Sequence, residues 1–270
     1  MHVLNSQTSH RVLYLSHGAG PMPLLGDEGH AGMIDTLQGI ARSMPRPEAI
    51  VLISAHWEEA RPTVTSGVDL PLIYDYYGFP EEAYNIAYPA PAAPDVAQEA
   101  FDCLHAEGVA PVSDAERGYD HGMFVPLKIM YPEADIPCIQ ISLVKGLNPD
   151  VHLRMGKALA GMKRPGLLFI GSGFSFHNMR AFFMPDTPER RGMNEGFDSW
   201  LAETCSGEVL TAEERLGCLS AWETAPHARY CHPREEHLLP LHVCCGIAQG
   251  ACAKSFSLEL LGKKTSMFLW

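Results

Sequence analysis

No apolar run in the 270-residue chain approaches the roughly 20 residues a membrane-spanning helix needs, and Met1 to Gln7 lack the basic stretch and apolar core of a secretory signal. The chain is therefore expected to be soluble and cytoplasmic, with no membrane partner. Positive charge is scarce: 20 Lys and Arg stand against 32 Asp and Glu, a net charge of −12. That balance argues against nucleic acid or an anionic lipid surface as partner and favours a small molecule. The eight cysteines form no Cys-x-x-Cys pair and are read as reduced, with Cys244, Cys245 and Cys252 as small core residues. No linker, charge block, low-complexity run or long repeat divides the chain. With 46% hydrophobic residues, residues 1–270 are expected to form a single domain, as a monomer or small homo-oligomer.

Against these absences stand 13 histidines, several in one setting. Ile50 to Ile53 is an apolar run of strand length that leads through Ser54 and Ala55 to His56 and Trp57, and Val12 to Leu15 leads likewise through Ser16 to His17 and Gly18. Continuous apolar runs suit strands buried on both faces, and open α/β sheets bind ligands beyond the carboxyl ends of such strands. A third run, Gly166 to Gly171, leads to His177 and Asn178.

Between them, helices are expected over 31–43, 95–107, from Asp120-His121 to Met130, 149–162, 194–205 and 211–222, the last opened by a Thr211/Glu214 capping box. Residues 62–94, rich in Pro, Tyr and Gly, read as a long loop with at most a strand. Strands are expected at 137–143, 254–260 and 264–269, and Pro240 places a helix start near Glu236 or His237. The alternation predicts an α/β fold: a central, mostly parallel or mixed sheet flanked by helices, with a metal site at the strand carboxyl ends.

Neutral imidazole is the commonest metal ligand, and three such groups with open positions make a catalytic site rather than a structural one. His17, His56, His121, His177 and His237 are the candidates. His2, His10, His30, His105, His152 and His227 lie in polar or terminal surroundings and are read as surface residues. His232 and His242 stand five positions from His237, about 140° round a helix, so neither shares its face, and Glu236 is kept as a substitute ligand. The cluster by itself leaves open a zinc hydrolase using metal-bound water, or a metal-binding protein without activity.

Ser16-His17-Gly18, Ser54-Ala55-His56-Trp57, Gly118-Tyr119-Asp120-His121-Gly122, Ser175-Phe176-His177-Asn178 and Glu236-His237-Leu238-Leu239-Pro240-Leu241 together resemble the class III extradiol ring-cleavage dioxygenases of the 4,5-DOPA dioxygenase type. The resemblance spans nearly the whole chain in order. It departs at Gly18-Ala19-Gly20-Pro21 and at Phe124, where the family more often has Gly-Ser-Pro and Trp. It implies Fe(II) held by His17, His56 and His237, a catechol such as L-DOPA and O₂ as substrates, and cleavage between ring carbons 4 and 5 to a semialdehyde. It further implies that His177 and His121 move protons, and that Zn(II) can occupy the same site with His177 as fourth ligand. Asp120 is a candidate to orient His121 or to cap its loop. Trp57, Tyr119, Phe124 and Asn178 are expected to contact substrate, with Tyr74, Tyr76 and Tyr77 as further candidates for the slot's walls.

Overall fold

The computed structural model describes residues 10–270, so His2 lies outside the described residues. Eight strands form one mixed sheet: β1 (Arg11–Ser16), β2 (Ala49–Glu59), β3 (Thr63–Thr65), β4 (Val112–Asp114), β5 (Cys138–Val144), β6 (Leu167–Gly173), β7 (Lys254–Leu260) and β8 (Lys263–Leu269). Their order is β4-β3-β5-β2-β6-β1-β8-β7. β5, β2, β6 and β1 form a parallel block, flanked by β3 antiparallel to β5 and β8 antiparallel to β1. The block holds the fully apolar runs because it is covered on both faces, whereas edge strand β7 is largely exposed. β4 escaped the sequence because three residues carry no readable period.

The helices are α1 (Ala31–Ser43), α2 (Pro94–Ala106), α3 (His121–Met130), α4 (Pro149–Leu159), α5 (Met179–Phe182), α6 (Pro188–Ser206), α7 (Ala212–Ser220), α8 (Ala228–Cys231) and α9 (Leu239–Ala248). The Thr211/Glu214 capping box opens α7. α9 starts at Leu239, with Pro240 in its first turn, so His237 sits just ahead of the helix. Adjacent residues of β6 face opposite layers: Gly171 lies against Pro240 and Cys244 of α9, and Ser172 hydrogen-bonds the Gly122 carbonyl of α3.

Two histidines read as surface residues are core. His30 donates from Nδ1 to Asp27 and accepts at Nε2 from the Ala19 N–H, at 2.6 and 3.1 Å, which pins the turn after His17. His152 accepts from the Val144 N–H and donates to the Asn148 carbonyl. Polar sequence neighbours hid them, since each satisfies both ring nitrogens locally and can then be buried. His105 and His227 are exposed and His10 half-buried.

Candidate metal centre

β1 delivers His17 just past its end, where the His17 N–H bonds the Gly173 carbonyl of β6. His56 lies inside β2, where the register against β5 slips between Ser54 and Glu58 and frees residues 55–57 from regular pairing. Such a bulge re-aims a side chain. Gly122 makes room beside it, since a Cβ there would meet Ser54 Oγ at 2.6 Å and His56 at 3.2 Å. His237 is held through its own carbonyl, which accepts from the Phe174 N–H at 3.0 Å and the Tyr14 hydroxyl at 2.9 Å. That approach requires glycine at 173, where a Cβ would stand 2.1 Å from the same oxygen.

The three imidazoles converge. His56 Nε2 is 3.2 Å from His17 Nε2 and 3.3 Å from His237 Nε2. Two nitrogens each about 2.1 Å from one ion stand ~3.0 Å apart at a right angle and ~3.4 Å apart at the tetrahedral angle, so the set fits a single small divalent ion. Burial, reinforced by the neighbouring imidazoles, holds all three histidines well below the ordinary imidazole pKa. They are neutral near pH 7, and lone pairs meeting at such distances call for a cation between them.

Each Nδ1 faces an acceptor behind the site. His17 Nδ1 bonds the Gly18 carbonyl at 2.9 Å, His237 Nδ1 bonds Glu236 Oε1 at 2.9 Å, and His56 Nδ1 stands 3.4 Å from Asp75 Oδ2. Glu236, considered as a substitute ligand, thus lies behind His237 rather than in its place. The same Glu236 oxygen is 3.0 Å from His177 Nδ1, and the His177 and His237 rings stack with centroids 3.4 Å apart. His121 mirrors this on the other side. Its Nδ1 and its backbone N–H both donate to Asp75 Oδ1, at 2.8 and 3.0 Å, and its ring centroid is 3.9 Å from that of His56.

Burial pushes the Asp75 and Glu236 carboxyls up, but hydrogen bonds from His121 and His177 outweigh it and leave both below the usual range. His177 groups by distance with Glu236 and His237 rather than with His17 and His56. His232 donates to the Ser175 carbonyl, His242 lies between the Leu219 and Leu238 carbonyls, and neither joins the cluster.

The expected substrate contacts divide. Tyr119 is core, its hydroxyl bonded to the Cys138 carbonyl at 2.8 Å. Trp57 is buried under the Arg117 guanidinium, 4.5 Å from its ring. Asn178 caps α5 and donates to the Tyr230 carbonyl, which uses both ends of its amide. Phe124 is buried behind Tyr74 and Tyr76, and Tyr76 reaches the site, 5.7 Å from His121. Tyr77 is 92% exposed. Asp75 was missed because a single acid in a Tyr-rich loop has no spacing to announce it. At the rim, Arg234 forms a two-pronged pair with Glu58, 2.7 Å on each arm.

Residues 9–268 match the family model of the catalytic LigB subunit of aromatic ring-opening dioxygenase. The chain is 39% identical to "Dioxygenase tasH" of Hapsidospora irregularis, covering 96% of this chain and 85% of that one. It is 37% identical to the "4,5-DOPA dioxygenase extradiol" of Beta vulgaris, covering 93% and 90%. The fold resembles the crystal structure of the uncharacterized protein JW3007 of Escherichia coli K12, with TM-score 0.73, 28% identity and coverage of 96% and 99%.

Proposed function

The chain belongs to the class III extradiol family of the catalytic LigB subunit and is a dioxygenase, and from that premise we propose that it cleaves a catechol of the L-DOPA class between ring carbons 4 and 5 using Fe(II) and O₂. The observation that carries this reading is the convergence of three neutral Nε2 atoms with an acceptor facing every Nδ1 from behind. His17, His56 and His237 are the ligands, in one catalytic domain. Fe(II) bound there supplies redox chemistry toward O₂ and Lewis acidity toward the two catechol oxygens.

The chain's own groups move the protons. Since Asp75 and Glu236 occupy Nδ1 of His121 and His177, each keeps Nε2 for the substrate. As the diol binds, Nε2 of each takes up one catechol hydroxyl proton, and one of the imidazolium groups so formed returns its proton to the opening ring. Tyr76 and Tyr74 supply an aromatic wall beside His121, with Phe124 packed behind. Zinc in the same triad preserves geometry without turnover, having no redox chemistry.

Charge favours a substrate without an anion on its ring. Asp75 and Glu236 flank the histidines, and Arg234 at the rim is already paired with Glu58. A carboxylate directly on the ring would face those acids with no free buried cation in the described site. The deciding experiment is anaerobic loading with Fe(II), then oxygen uptake with L-DOPA and with protocatechuate. L-DOPA consumption with a yellow semialdehyde supports the reading, faster protocatechuate cleavage overturns the substrate class, and no uptake with any catechol overturns the activity.

A further inference from the structure

Asp75 and Glu236 occupy equivalent places in two copies of one arrangement. Each carboxylate faces Nδ1 of one triad histidine and Nδ1 of one proton-transfer histidine, and in each copy the two imidazoles lie against one another. The copies come from unrelated parts of the chain: His56 of β2, Asp75 of the 62–94 loop and His121 of α3 in one, His177 beyond β6 and the Glu236-His237 segment in the other. His17 lies outside both and uses a neutral backbone carbonyl.

We propose that Asp75 and Glu236 are paired positioning residues that lock four imidazoles, His56, His121, His177 and His237, in the tautomer with hydrogen on Nδ1. The physical need is specific. A free imidazole exchanges its proton between the two nitrogens, and a hydrogen on Nε2 of His56 or His237 would point at the ion's place. The same hydrogen on His121 or His177 would leave no base toward substrate. Three neutral ligands also bring no charge to a divalent ion, and these carboxylates supply two negative charges just behind them. Asp75 also accepts the His121 N–H at the start of α3, a capping role that asparagine can fill without the charge.

The proposal rests on the ligand and proton-transfer roles given above, and its test separates the two. Full-length protein stripped by chelation is titrated with Zn(II) against a chromophoric chelator. Asp75→Asn and Glu236→Gln should each weaken zinc about 10- to 100-fold, with melting temperatures in chelator close to the parent. At saturating Fe(II), both variants should lose at least about 10-fold in kcat with KM little changed, short of removing a proton-transfer group outright. Zinc binding within twofold of the parent in both variants overturns the proposal. If the parent binds zinc, the variants weaken it and no catechol is turned over, the positioning stands and the proposed activity falls. A measurement independent of the variants is the ¹⁵N spectrum of histidine-labelled, zinc-loaded parent. Four imidazoles protonated at Nδ1 and tied to carboxylates are expected, and an Nε2–H tautomer at His121 or His177 overturns the assignment.

Discussion

Ser54 donates to Asp120 at 2.7 Å from β2, and this bond ties Asp120 to the sheet rather than to the histidine that follows it. Arg117 at 3.0 Å and the Gln140 amide complete the set around a carboxylate with no exposed surface. Burial, together with the charge of Asp75, pushes its carboxyl up, and the Ser54 bond opposes them. Asp120→Ala should therefore act on stability. Leaving Arg117 and two further donors unmatched costs about 3 kcal/mol, read as a lower urea midpoint. Turnover per bound iron should stay near the parent, and a 100-fold loss there would return Asp120 to the role of orienting His121.

Metal content and turnover should separate the five histidines into two groups. His17→Ala, His56→Ala and His237→Ala each remove a proposed ligand nitrogen and should abolish stoichiometric zinc or iron, measured by elemental analysis after dialysis. His121→Ala and His177→Ala should retain metal and lose about 10²-fold or more in kcat. Loss of metal from His177→Ala as complete as from His17→Ala would make His177 a ligand after all.

Gly173 supplies a steric test of how His237 is placed. Its substitution by alanine puts a methyl group 2.1 Å from the His237 carbonyl, so either β6 or the entry to α9 must move. Gly173→Ala should lower zinc affinity and iron-dependent turnover together. Gly217→Ala in α7, where a Cβ meets nothing within 4 Å, should leave both unchanged and add up to about 1 kcal/mol of stability.

The parts visible in the sequence share one property: each is a local pattern. Apolar runs marked the buried strands, and their ends marked His17, His56 and His177, because a buried parallel strand has a directional exit. The Thr211/Glu214 box and Pro240 located helix starts through backbone chemistry confined to a few residues. What stayed hidden depends on long-range meetings. Asp75 reaches His121 across 46 positions, and Tyr119 turns from the site to the Cys138 carbonyl. The resemblance supplied His237 as ligand, while the geometry that holds it, through Tyr14, Phe174 and Gly173, lies in tertiary contacts no spacing encodes.

Two buried histidines outside the candidate ligand and proton-transfer set give a pH dependence whose sign follows from their neutral state. Burial drives His152 down to about 4 and His232 to about 3, against an ordinary value of 6.5. Well above pH 6.5 neither the folded nor the unfolded chain binds a proton at these rings, so they leave stability unchanged. Below it the unfolded chain takes up protons that the folded chain refuses, and stability falls with pH until the folded values are reached. Each ring contributes up to about 1.4 kcal/mol per pH unit across that window. His17, His56 and His237 are depressed in the same direction and add to the loss in metal-free protein. Urea midpoints in chelator should be level from pH 8 to 7 and drop from pH 6 to 4.5. His152→Gln, with an amide NH₂ toward the Asn148 carbonyl and an amide oxygen toward the Val144 N–H, should flatten the drop without raising the plateau. An unchanged slope in that variant would assign the acid sensitivity to other groups.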